Sequence, residues 1–179
     1  MPISVLVGYA TSYGSTQEVA EAVAATLREC GLSVEIKPLR DVRTLAGYDT
    51  VVMGAPLIMF HWHKEALNFL SRHRDAITER SVAVFVLGPT HDPYDENEWK
   101  DSRAQLDKEL AKYPWFTPVA LEMFGGKYDP EKLRFPLKLM AGKEPASDLR
   151  DWTVIHAWAR DLAAKLEPTP PSASGGYSS

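Results

Sequence analysis

Apolar positions along this chain recur in two rhythms. Residues 3–7 and 50–53 are short, mostly apolar runs, as expected of strands covered on both faces, and residues 82–87 form the longest such run, a central strand closed by Gly88 and Pro89. Two further runs alternate. Leu32, Val34 and Ile36 interleave with Ser33, Glu35 and Lys37 before Pro38, and Val119, Leu121 and Met123 repeat the pattern, so both predict half-exposed strands at sheet edges. Between the strands the spacing becomes helical. Val19, Ala20, Val23, Ala24 and Leu27 predict a helix over 15–30 with Gly31 at its C′ position. Ala66, Leu67 and Leu70 predict one over 63–72. Trp99, Leu106 and Leu110 predict a third, capped by Asp95 with Glu98 three residues on. Trp152, Ile155, Trp158, Ala159, Leu162 and Leu166 predict the last, with Ser147 or Asp148 as its cap. After the third strand the chain is expected to turn sharply at Gly54, Ala55 and Pro56.

Five strands separated mostly by helices imply an α/β fold, a doubly wound parallel sheet of order 2-1-3-4-5 with helices on both faces. In that order the first and third strands meet at the switch point, and ligands bind outside their carboxyl ends. The expected domain spans residues 1–167, with 125–147 inserted between the fifth strand and the last helix. Residues 168–179, rich in Pro, Ser and Gly, have little to bury and read as a disordered tail.

Composition narrows the classes. The chain has 179 residues, 45% of them hydrophobic, enough for one ordinary core. Its net charge of −4 argues against nucleic acid as a partner. The amino terminus lacks a basic leader and a long apolar run, so neither a signal peptide nor a membrane span is expected, and the location reads as cytoplasmic. Cys30, the single cysteine, reads as packing at a helix end.

The stretch at the switch point carries the candidate chemistry. Thr11, Ser12, Ser15 and Thr16 offer hydroxyls, Tyr13 flanks them, and Gly14 allows a tight turn whose N–H groups point inward. The following helix adds unpaired N–H groups and a positive dipole end, so the stretch reads as a phosphate cradle built from dipoles, with no Lys or Arg in it. Other occupants of this architecture lack their residues here. A dinucleotide site needs Gly-x-Gly-x-x-Gly, whereas only Gly8 and Gly14 appear. A phosphoacceptor domain needs acidic residues at the ends of the first and third strands, and a small tyrosine phosphatase needs a cysteine in the cradle.

Residues 7–23, with Tyr9, Thr11, Gly14, Thr16, Ala20 and Val23 in place and Gly8 where a larger apolar residue is usual, resemble the amino-terminal signature of the flavodoxins. The resemblance implies that this loop wraps the phosphate of flavin mononucleotide (FMN). It also implies that loops after the third and fourth strands close on the isoalloxazine ring, through Ala55, Pro56, Leu57, Met59, Phe60 and Trp62 and through Gly88, Pro89, Thr90 and Tyr94. Met59, Phe60, Trp62 and Tyr94 suit a large planar ring, and packing of the sheet ends is the less favoured alternative.

A narrower likeness covers most of the chain. Gly54 and Ala55 followed by His61, Trp62 and His63, with Ala66, Phe69 and Leu70 beyond, resemble the menaquinone-dependent protoporphyrinogen IX dehydrogenases, as does Asp151-Trp152 ahead of the last helix. Ile58, Met59 and Phe60 stand where that branch often has Arg-Tyr-Gly, and its insertion is longer and more aromatic. The implied activity is an FMN-dependent oxidoreductase that passes reducing equivalents from an organic substrate through flavin to a quinone. His61 or His63 is the candidate for moving a proton. No metal is expected, since His61 and His63 lack a third ligand nearby. The alternative is an electron carrier that docks on redox partner proteins. Within the insertion Lys127, Lys132, Arg134, Lys138 and Lys143 outnumber Asp129, Glu131 and Glu144 and interleave with Leu133, Leu137, Leu139 and Met140. Such a flap, residues 127–144, either rests on the inner face of an anionic membrane, where quinones reside, or covers the fifth-strand edge. The edge is the favoured reading, because Pro136 breaks any long helix.

Overall fold

The computed structural model describes residues 2–140, 142 and 144–167; the tail reading for 168–179 lies outside the described residues. Five parallel strands form the sheet: β1 (Ser4–Tyr9), β2 (Ser33–Pro38), β3 (Thr50–Ile58), β5 (Ser81–Leu87) and β6 (Ala120–Phe124). Their order is β2-β1-β3-β5-β6, which is the expected 2-1-3-4-5 counted over parallel strands. A sixth strand, β4 (His61–Trp62), folds back antiparallel on the end of β3.

Alternation along each strand sends neighbouring side chains to opposite faces, and each face has its own core. Val5, Val7, Val52, Ala83, Phe85 and Leu87 pack under α1 (Ser15–Glu29) and α6 (Trp152–Leu166). Leu6, Val51, Met53, Val82, Val84 and Val86 pack under α2 (Lys64–Arg72), α3 (Arg74–Thr78) and α4 (Glu96–Ala111). Hydropathy periodicity did not predict α3. Gly8, where a larger residue is usual, leaves its space to Leu39, whose Cδ2 would sit 2.4 Å from an added Cβ.

Helix ends follow local chemistry. At the end of α1 the N–H of Leu32 donates to Leu27 O and that of Gly31 to Arg28 O, a Schellman closure. Asp95 caps α4 by accepting from Asn97 and Glu98 N–H groups, as expected. The cap of α6 is Asp151, which accepts from Val154 N–H. Ser147 and Asp148 instead form β8, paired antiparallel with β7 (Lys127–Tyr128).

The expected turn at 54–56 is also corrected. β3 runs through Gly54, Ala55 and Pro56 to Ile58, pairing with β5 as far as Pro56. Gly54 is required by close approach, since a Cβ there would lie 1.9 Å from the Phe85 ring. The reversal falls on Met59 and Phe60, both with positive φ, 49° and 66°.

Candidate functional site

The loop after β1 is held as a cradle. Ala10 N–H donates to Gly54 O at 2.9 Å, and Gly14 N–H donates to Thr11 Oγ1 at 2.8 Å. Gly14 sits at φ 92° as the N-cap of α1, a conformation that favours glycine, and brings no side-chain acceptor to the first-turn N–H groups. Thr16 is fully buried, and its Oγ1 has no hydrogen-bond partner among the described residues. Buried hydroxyls are normally satisfied, so an orphan beside unpaired helix N–H groups marks a place for an acceptor.

Ser12, Tyr13 and Ser15 face a cavity of about 540 Å³ at the carboxyl ends of the strands. Pro56, Leu57, Ile58 and Met59 line it from the end of β3, and Leu87, Gly88 and Thr90 from the end of β5. The reversal that carries Met59 is a two-residue hairpin, with Ile58 opposite His61 and Leu57 opposite Trp62. Two positive φ values in such a turn suit Asn-Gly; bulky residues there are strained by about 1–3 kcal/mol each. Yet Met59 and Phe60 are 76% and 64% exposed. Strain held by large apolar side chains that bury little points to what they meet outside the fold.

Other expected residues lie elsewhere. Ala55 is buried between strands, and Trp62 is buried beneath the hairpin, its Nε1–H donating to Ala55 O at 3.2 Å. Packing of the sheet end claims this indole. Tyr94 turns away onto Trp99, ring centroids 5.8 Å apart, and Phe60 points outward. Pro89 contributes its carbonyl, which accepts from Gly126 N–H at 2.7 Å. Thr11, Gly14 and Thr16 shape the cradle from behind the cavity-lining Ser12, Tyr13 and Ser15.

The two histidines part company. His61 is exposed and turns toward α4, its Nδ1 3.7 Å from Glu109 Oε1, and it does not line the cavity. His63 caps α2, its Nδ1 accepting from Glu65 N–H at 3.2 Å, while its Nε2 lies 3.3 Å from Ser12 Oγ. Partial burial holds its pKa below the ordinary histidine value, against the opposing pull of Glu65.

The insertion lines the cavity, a role that the sequence reading did not include. β7 and β8 form its base, and between them a 3-10 turn (Pro130–Lys132) and the short helix α5 (Leu137–Met140) reach across the cavity. Lys127, Tyr128, Asp129, Lys132, Leu133, Leu137, Met140 and Glu144 complete the lining, so the segment is a roof. Its outer side stays apolar: Phe135 is 80% exposed and Leu139 77%. Interleaved leucines and lysines signalled an amphipathic flap, but periodicity could not say which surface it would meet.

Arg150 was missed altogether. Its buried guanidinium donates to both Asp148 carboxylate oxygens, to Glu18 and to Ser15 O, and lies 4.9 Å over the Trp152 ring. An arginine between Asp148 and Asp151, just ahead of a helix, was the available sign.

A family model described as a flavodoxin domain matches residues 6–143. The chain is 23% identical over 177 residues to a protoporphyrinogen IX dehydrogenase [quinone] of Leishmania major, spanning 91% of this chain and 76% of that protein. It is 21% identical over 181 residues to the protein of the same name from Escherichia coli K12, spanning 88% and 93%. Among solved structures, oxidised flavodoxin 2 from Bacillus cereus superposes with a TM-score of 0.58 at 18% identity over 90% of this chain and 99% of that one. Oxidised flavodoxin 1 from the same organism gives 0.57 at 16%, over 92% and 99%.

Proposed function

The chain belongs to the flavodoxin domain family, and on that premise we propose that it is an FMN-dependent dehydrogenase. In this reading it passes reducing equivalents from an organic substrate of the protoporphyrinogen IX kind to a quinone. FMN is the cofactor of this fold. The residues present fit it: an orphaned buried hydroxyl at Thr16, first-turn N–H groups without a side-chain cap, and a cavity within the 300–1,000 Å³ range of small-molecule sites.

In the proposal Thr11, Ser12, Tyr13, Gly14, Ser15 and Thr16 hold the phosphate. Pro56, Leu57, Met59, Gly88 and Thr90 flank the ring, with Ala55, Trp62 and Pro89 setting the backbone behind them and Phe60 and Tyr94 at the rim. The redox chemistry is the cofactor's own, transfer of reducing equivalents between an organic donor and an acceptor. The protein binds, orients and shields. Both ring nitrogens of His63 are engaged, which favours positioning over proton transfer, and His61 stands outside the cavity.

The observation that carries the dehydrogenase reading is the roof. Leu133, Leu137 and Met140 line the cavity together with Leu57, Ile58 and Met59, an apolar slot suited to an organic substrate beside the ring. Two relatives named protoporphyrinogen IX dehydrogenase [quinone] support the same choice. A quinone acceptor is consistent with a cytoplasmic protein that rests at the inner membrane face through its flap. No helix among the described residues is long and apolar enough to cross a membrane. The second reading, an electron carrier docking on redox proteins through an acidic face, is weakened by a net charge of only −4.

Anaerobic mixing of FMN-loaded protein with protoporphyrinogen IX, then with a menaquinone analogue, separates the two. A dehydrogenase bleaches on the first addition and recovers colour on the second. Flavin that stays oxidised with protoporphyrinogen, but is reduced by a reductase protein, would establish the carrier.

A further inference from the structure

We propose that Arg150 is a positioning residue that locks the returning strand of the flap onto the first turn of α1, so that a phosphomonoester in the cradle and a closed flap stabilise one another. This rests on the reading of the cavity as the FMN site.

The guanidinium reaches two elements that the chain separates widely. On one side its Nε and Nη2 donate to Asp148 Oδ1 and Oδ2 at 2.9 and 2.8 Å, a two-pronged grip on β8. On the other its Nη1 donates to Ser15 O at 3.2 Å and Glu18 Oε2 at 3.0 Å, both in the first turn of the cradle helix. Asp148 stands opposite Lys127, and Ser147 opposite Tyr128, at the point where the flap departs and returns. Ser147 Oγ also donates to Thr90 O. Ser15, Thr90, Lys127 and Tyr128 all line the cavity, so one buried side chain joins the phosphate end to the roof.

Attraction between charges does not explain the arrangement. One guanidinium faces two carboxylates, so the cluster carries no surplus positive charge to offer a phosphate. What it supplies is fixed geometry, which a planar, five-donor group gives and a lysine does not.

This separates two outcomes for Asp148→Ala. If charge governed, removing a carboxylate near the cradle would tighten FMN binding. If Arg150 couples cradle to flap, the substitution releases the roof and weakens FMN about fivefold or more, the lower end of ordinary coupling between sites. Riboflavin, which lacks the phosphate, should lose less affinity than FMN does.

The direct test is limited trypsin digestion at the exposed flap residues Lys132, Arg134 and Lys138, with saturating FMN or saturating riboflavin. In the wild type FMN should slow flap cleavage about fivefold more than riboflavin does. In Asp148→Ala and in Arg150→Met the two flavins should protect equally. Folding is checked by circular dichroism, and Asp148→Ala carries the test if Arg150→Met does not fold. FMN-specific protection that persists in a folded variant, tighter FMN binding by Asp148→Ala, or equal protection in the wild type would each overturn the coupling. A wild type that quenches neither flavin's fluorescence would overturn the cofactor assignment itself, before any digestion.

Discussion

His63 Nε2 lies 3.3 Å from Ser12 Oγ, while His63 Nδ1 accepts the N–H of Glu65. An acceptor at Nδ1 leaves the proton of the neutral ring on Nε2, where it donates to the serine. One imidazole therefore both starts α2 and holds the hydroxyl loop after β1, joining the two halves of the cavity wall.

Replacing His63 with Ala should cost about 1 kcal/mol through the lost cap and should weaken FMN binding by freeing Ser12. His61→Gln, on the side facing Glu109, should leave flavin affinity unchanged. Urea denaturation and flavin fluorescence titration read both effects. Unaltered affinity in His63→Ala would remove the serine contact from the site.

Acid should destabilise the fold through two histidines. Burial is the largest cause holding His63 and His73 below their ordinary value near 6.5, and His73 is further fixed by Val42 O and the Phe69 ring. The unfolded chain then takes up protons first as pH falls. Stability is full above the unfolded value and is lost as pH drops below about 6.5. Urea midpoints should fall between about pH 7.5 and pH 5.5, and a variant with Gln at both positions should lose much of that slope. An unchanged slope would show that other groups govern it.

Thr16→Val removes the orphaned hydroxyl while keeping the shape of the side chain. Stability should hold or rise by up to about 1 kcal/mol, since a buried unsatisfied group is lost. FMN affinity should fall about tenfold, as expected for a hydrogen bond to a charged group, with riboflavin unaffected. Equal loss for both flavins would place Thr16 away from the phosphate.

The strained hairpin tip should trade stability for function. Met59→Asn combined with Phe60→Gly puts turn residues at both positive-φ positions and should stabilise the fold by about 1–3 kcal/mol. Riboflavin affinity or turnover should drop, because Met59 lines the cavity. A stabilised protein with intact binding and turnover would make the tip a bystander.

Sedimentation with vesicles tests the outer side of the flap. Binding to anionic vesicles at low salt, weakened by high salt and by Phe135→Ser with Leu139→Ser, is expected from exposed apolar groups set among Lys132, Arg134 and Lys138. Absence of binding to anionic vesicles at low salt would leave the flap a roof only.

Much of the fold was legible before any coordinates. Continuous apolar runs marked β1, β3 and β5 as inner strands, and alternation marked β2 and β6 as edges, because burial on one or two faces writes itself into the residue pattern. The hydroxyl-rich turn after β1 was legible for a similar reason. Tyr9, Thr11, Gly14 and Thr16 lie within one strand, turn and helix, where chemistry and geometry are local.

The rest depended on contacts between distant residues. Gly54 looked like a turn residue, yet its lack of a side chain serves the Phe85 ring, and the reversal fell on Met59 and Phe60 against their own preference. Trp62 and Tyr94 carried equal promise as ring partners until packing sent one beneath the sheet end and the other onto Trp99. Arg150 meets Ser15 across 135 residues of chain. By itself the sequence determined the winding of the sheet and the residue types at its switch point, since periodicity and turn chemistry act over a few residues. Only the tertiary structure decided what roofs the cavity, which aromatics reach it and where a buried cation is anchored, because those depend on which distant surfaces compete for the same space.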